Sequence, residues 1–200
     1  SAFPGYASLL SLVEARAAGA PFARNTLLQI LGLGHAHVAE RLGALGPNLL
    51  VNAACASTPA ALALASDWIH AGRCRRVLVV AADDVTSDAL LPWIGAGFLA
   101  LGAATTEPEL ERAAIPFGRT RHGMILGMGA VGLVVESSAA ARERGVTPLC
   151  ELVATRLGNS ADHPMRLRPA HIADEMDAFV EEVTGRLGLI HCSPMFATAL

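Results

Sequence analysis

Apolar residues come in short runs whose spacing changes along the chain. Residues 7–18 carry a helical pattern that stops at Gly19-Ala20-Pro21. A second helix is expected from Thr26 to about Leu42, with Asn25 as its N-cap and Gly43 as its stop. Gly32 and Gly34 inside it are each costly in a helix interior, so their expected use is close packing against a neighbouring backbone. Leu49 to Ala53 reads as an apolar strand, and a small-residue helix follows from Ser57 to Ala71. The run Arg76 to Ala82 is a second, strongly apolar strand. The polar residues Asp83 to Asp88 are placed as a loop that caps a following helix, and Thr105 to Glu109 is turn chemistry on the surface. Ile115 to Gly129 is a loop punctuated by glycines that feeds a strand from Ala130 to Glu136. Ser137-Ser138 caps a short helix over 139–144, ended by Gly145, and Leu149 to Leu157 is a further strand. Ile172, Met176, Phe179, Val180, Val183 and Leu187 recur at helical spacing, so 170–187 is an amphipathic helix. This alternation of strands and helices, without repeats or low-complexity linkers, predicts a layered α/β domain around a buried sheet.

The chain has 200 residues, 52% of them hydrophobic and 16% charged. Its mean hydropathy of +0.44 raises the question of a membrane span. No apolar run reaches the ~18 residues that a spanning helix needs, so no membrane association is expected. The net charge of −3 gives no footprint for nucleic acid. All 15 basic residues are arginine, a compositional habit that points to no site. Four cysteines (Cys55, Cys74, Cys150, Cys192) are scattered without a C-x-x-C pair, which predicts reduced thiols in a cytoplasmic setting and no metal site. The start, Ser1 to Gly5, lacks the charged region of a signal peptide.

The candidate chemistry lies at Cys55, within Asn52-Ala53-Ala54-Cys55-Ala56-Ser57-Thr58. The cysteine falls between a predicted strand and a predicted helix. A thiol is a good nucleophile as a thiolate, and a helix N-terminus stabilises that anion. The small neighbours Ala53, Ala54 and Ala56 leave room for a substrate to approach the sulfur. Free cysteine is also among the most buried residue types, so on spacing alone a structural thiol stays equally open.

Ala-Ala-Cys-Ala-Ser-Thr, preceded by Gly46-Pro47-Asn48-Leu49, resembles the nucleophile elbow of the β-ketoacyl synthases, the condensing enzymes of fatty-acid and polyketide assembly. Pro116-Phe117 to Gly129-Ala130 is similar to that family's Phe-Asp-x-x-Arg-x-Gly-Phe-x-x-Gly-Glu-Gly-Ala loop, and Val134-Val135-Glu136 to the strand that follows it. Leu149 to Asp162 is similar to the strand leading into the family's Asn-x-Asp/Ala loop, and the order of elements agrees from about Asn25 to Leu189. Gly118, His122 and Met128 depart from the family's usual residues, Asp or a related residue at the first two and Glu at the third. The family's first strand, its two later histidine motifs and its catalytic lysine have no counterpart here; His191-Cys192-Ser193 is a faint echo of His-Gly-Thr, which makes His191 a weak candidate for a catalytic histidine. Of the other histidines, His35, His37, His163 and His171 read as packing or surface residues, and His70 as a partner for helix C-terminal carbonyls.

The resemblance implies a thiolase-like α/β fold, layered α-β-α-β-α and only partly present, with residues 1–200 as one partial synthase domain and no separate second domain. It implies that Cys55 takes an acyl group from a thioester and that its N–H forms half of an oxyanion hole. A malonyl-type extender, carried on the phosphopantetheine of an acyl carrier protein, then loses CO₂ and condenses with the acyl group. No metal or redox cofactor is implied. It further implies a homodimer, or a pair with a related synthase subunit, in which Leu49-Leu50-Val51 lies at the interface. A non-catalytic synthase-like partner of the chain-length-factor type is the alternative, favoured by the altered loop and opposed by the retained Cys55. A thiolase or other acyl-CoA condensing enzyme of the same fold is a weaker one.

Overall fold

The computed structural model describes residues 6–23, 28, 32–162 and 166–188. Their elements run α1 (Tyr6–Ala17), α2 (Gly34–Leu42), α3 (Ser57–His70), β1 (Arg76–Asp84), α4 (Leu91–Ala100), a 3-10 turn (Leu110–Arg112), β2 (Met128–Glu136), α5 (Ser138–Glu143) and α6 (Pro169–Leu187). They divide between two compact units, Ser1–Thr58 with Leu78–Val134, and Pro59–Val77 with Val135–Leu200.

The first unit is organised by a small apolar cluster. Val85, Leu90 and Ile94 are buried, and Leu10, Phe98 and Leu126 pack against them. Helix α4 supplies much of this cluster. Its entry carries no side-chain cap, contrary to the expectation for the polar run before it. Pro92 sits in the first turn instead, and the backbone carbonyl of Ser87 accepts the N–H groups of Leu90 and Leu91.

Strands β1 and β2 form a two-stranded sheet. The end of β2 lies beside the start of β1, as antiparallel strands require: Ser137 N–H donates to Arg75 O at 3.2 Å. β1 extends to Asp84, so Asp83 and Asp84 belong to the strand and not to the expected loop. The sheet is not buried on both faces. Along β1, Val79 is 6% exposed while Leu78 and Val80 are 41% and 47% exposed. Along β2, Val131, Leu133 and Val134 are all exposed. The runs read as buried strands because apolar composition reports a capacity for burial, not its presence.

In the second unit the tightest burial is at alanines: Ala63, Ala65, Ala140 and Ala141 are 1–3% exposed. Ser137 caps α5, its hydroxyl accepting from Ala140 N–H at 3.2 Å. α6 starts on Pro169 and ends at Gly188, whose φ of 64° makes a left-handed cap. Its apolar stripe stays open, with Ile172, Met176 and Leu187 each about half exposed.

Two expected strands do not form. Residues 49–53 and 149–157 have no ladder partner among the described residues. An extended apolar run becomes a strand only when a neighbour takes its backbone groups. Over 149–157 α6 supplies part of that role through Arg186, whose Nη1 donates to Val153 O at 2.8 Å, and a side-chain bond from Arg156 Nε to Glu175 Oε2 at 2.6 Å adds a second tie. The second expected helix does not run unbroken: Gly32 takes a left-handed φ of 62°, residues 32–33 form a turn and α2 begins at Gly34. A Cβ at Gly34 would meet nothing within 4 Å, so the expected close packing is absent there, and Asn25 and Thr26 lie outside the described residues.

Candidate active site

Cys55 sits in a tight turn braced by two side chains. Ala54 occupies the left-handed region at φ 48°, a conformation that costs an L-residue roughly 1–2 kcal/mol. Asn52 Oδ1 accepts the Ala54 N–H at 3.1 Å. Ser57 Oγ accepts the Ala53 N–H at 3.0 Å and donates to Ala54 O at 2.6 Å. Backbone bonds from Ala56 N to Ala53 O and from Ser57 N to Ala54 O complete the turn at 3.0 and 3.1 Å. Cys55 is a free, exposed thiol. It precedes the first residue of α3 by two positions, as the sequence reading placed it.

The glycine-punctuated loop belongs to the same unit as Cys55. It is pinned to the 103–107 turn by Thr105 N–H to Met124 O and Met124 N–H to Ala103 O, both 2.9 Å. His122 is exposed and engages this turn: its Nδ1 lies 3.1 Å from the Thr105 hydroxyl, which also accepts the Glu107 N–H at 3.1 Å. Among the described residues no histidine is hydrogen-bonded to Cys55. Gly118 packs tightly. A Cβ there would lie 3.0 Å from Ile115 Cδ1 and 3.1 Å from Ile115 O, so an aspartate at this position would need Ile115 to move. Met128 opens β2 and is 70% exposed.

His70 meets the carbonyl of Ser66 through Nδ1 at 2.9 Å, as expected for a helix end. His37 is exposed; His35 and His171 are half-buried, so His171 is less solvated than its loop suggested. His163, His191 and Cys192 lie outside the described residues. The described residues hold no cluster of His, Cys, Asp and Glu suited to a metal ion.

In the second unit Arg75, Arg76, Ala140, Glu143 and Arg144 line an open cavity of about 290 Å³. Arg76 Nε and Arg144 Nη2 both donate to the Glu136 carboxylate, at 2.9 and 2.5 Å, and Arg75 pairs with Glu143. The bond from Arg144, then that from Arg76, holds the Glu136 carboxyl below its ordinary range. Every guanidinium lining this cavity has a carboxylate partner, which makes the cluster an ion-pair network that ties β1, β2 and α5.

The family model of the β-ketoacyl synthase N-terminal domain matches residues 10–141. The chain belongs to the β-ketoacyl synthase family. A synthase from Streptomyces rimosus, named for an oxytetracycline polyketide β-ketoacyl synthase 1, is 38% identical over 118 residues, which are 58% of this chain and 27% of that one. The 3-oxoacyl-acyl-carrier-protein synthase 2 of Staphylococcus aureus is 31% identical over 144 residues, 72% of this chain and 34% of its own. The chain thus spans about a third or less of these two curated relatives. Two solved synthases share the fold. One is a type II polyketide ketosynthase in complex with its acyl-carrier protein, AntDE:AntF, with a TM-score of 0.76 at 22% identity. It covers 92% of this chain and 47% of the solved one. The other is a β-ketoacyl synthase from Burkholderia phymatum STM815, with a TM-score of 0.75 at 23% identity, over 88% of this chain and 43% of that one. The fold is therefore the thiolase-like fold of the ketosynthases, in part. Across the described residues no helix is long and apolar enough to cross a membrane.

Proposed function

We propose that this chain is the nucleophile-bearing part of one condensing domain, and that Cys55 carries the growing acyl group. The observation that carries this reading is an exposed, free thiol on a braced left-handed turn just ahead of α3, in a chain of synthase family and fold. The Cys55 thiolate attacks the carbonyl carbon of an acyl thioester, and the C=O electron pair moves onto oxygen. Collapse of that oxyanion expels the phosphopantetheine thiolate, which takes up a proton. A malonyl-type extender on an acyl carrier protein then loses CO₂, and its carbanion attacks the acyl-Cys55 carbonyl. The β-keto product stays on the carrier and Cys55 is released. The chemistry calls on no metal or redox group. An acyl carrier protein is the proposed partner, in keeping with the carrier-bound ketosynthase of the same fold. A second synthase subunit is proposed along Leu49-Leu50-Val51, where an extended apolar run lacks a ladder and Leu49 is 44% exposed.

A non-catalytic synthase-like subunit is the second reading, supported by the tight Gly118, by His122 bonded to Thr105, and by Met128 where the family's usual residue is Glu. One experiment separates the two. The full-length protein is incubated with an acyl-phosphopantetheine thioester and its intact mass recorded. A single acyl adduct that maps to Cys55, and is lost in Cys55→Ala, supports the condensing enzyme. No adduct on the native protein defeats it and favours the subunit.

A further inference from the structure

We propose that Ser57 is a positioning residue for Cys55, setting the direction of the Cys55 N–H rather than capping the helix it begins. This rests on the reading of Cys55 as the acyl carrier. Ser57 is the buried polar residue among those described, 7% exposed. A buried hydroxyl is normally satisfied, and where it spends its bonds shows its task. A serine at a helix start ordinarily accepts an N–H from two or three residues ahead. Ser57 reaches backward for both of its bonds, to Ala53 N–H and Ala54 O. The 2.6 Å bond to Ala54 O is the important one. That oxygen shares a planar trans peptide with the Cys55 N–H, so fixing the carbonyl fixes the N–H on the opposite edge. The carbonyl points to Ser57, and the N–H is held away from it. The strained Ala54 at φ 48° makes this tether necessary, since an alanine left to itself relaxes out of the left-handed region and rotates the same peptide plane.

The test compares two reactions of the same sulfur. Acyl transfer passes through an oxyanion that needs the N–H in place. Alkylation by iodoacetamide does not: the sulfur displaces iodide at a saturated carbon and no oxyanion forms. In the full-length protein, Ser57→Ala is expected to slow acylation of Cys55 by an acyl-phosphopantetheine thioester at least tenfold, with the alkylation rate within about twofold of native. Ser57→Thr keeps the hydroxyl and is expected to restore acylation to within threefold. Ser57→Cys keeps the volume with a weaker donor and covers a Ser57→Ala protein that does not fold. It is expected to show the same split, slower acylation and unchanged alkylation, with both adducts located at residue 55 by fragmentation. Equal acylation in native and Ser57→Ala protein overturns the positioning role alone, as does a parallel loss of both rates or of thermal stability with their ratio unchanged. Absence of acylation in the native protein overturns the reading of Cys55, and the role of Ser57 with it.

Discussion

Single residues differ sharply in how much change they tolerate. At Gly123, φ is +63° and a Cβ would lie 2.5 Å from Thr105 N and 2.7 Å from Ala104 C, both backbone atoms. Gly123→Ala is expected to destabilise by roughly 2 kcal/mol or more, read from the urea midpoint. Gly132 in β2 has open space around its Cα, so Gly132→Ala is expected to stay within ~0.5 kcal/mol of native or to stabilise. Glu136 sets a pH dependence. Its carboxyl is held below the ordinary glutamate value of 4.5 by Arg144 and Arg76, so the folded state favours the ionised form. That contribution is complete above 4.5 and is lost as pH falls through the lower folded value. Urea midpoints from pH 7 down to pH 3 should fall less steeply in Glu136→Gln than in the native protein. The place of Cys55 just ahead of α3 was legible in the sequence, because the small-residue helix that follows it is visible in one dimension. Asn52 and Ser57 were not singled out. Their types suit local backbone bonding, but which N–H and which carbonyl they take depends on the turn around Ala54. The same holds for His122, whose partner Thr105 is 17 residues away in sequence.

Among whole elements, helices were read more closely than strands. α1, α3 and α6 begin and end within one residue of their expected bounds, because a helix satisfies its backbone from within its own residues. β1 and β2 were also read, though each is about two residues longer than expected. The expected strands over 49–53 and 149–157 failed for the complementary reason: pairing depends on another segment, which composition cannot supply. Residues 149–157 instead lean on α6. Glu175→Gln removes the charge that draws Arg156 Nε, and amide hydrogen exchange over 151–157 is expected to speed up while α6 keeps its protection. Equal exchange in the two proteins would show that the Arg186 bond to Val153 holds the segment without help.

For the molecule as a whole, family and partial fold were legible from several motifs in the right order, whereas the degree of burial was not. Among the described residues, the deeply buried apolar ones are five alanines and four larger side chains, Val79, Val85, Leu90 and Ile94. The chain therefore releases little apolar surface from its described residues when it unfolds by itself. Its urea slope is expected near ~1 kcal/mol/M, at the low end for a small protein, and a slope above ~2 would contradict the open sheet. The open face of β1 and β2 has an experimental side effect. Dyes that light up on apolar surface are commonly taken to signal a loosened, partly folded state. Here Leu78, Val80 and Val134 offer such a surface in the folded chain. Fluorescence from a bound dye would be bright at the outset and would fade through the transition, so a purification screen that discards dye-positive fractions would discard the folded protein.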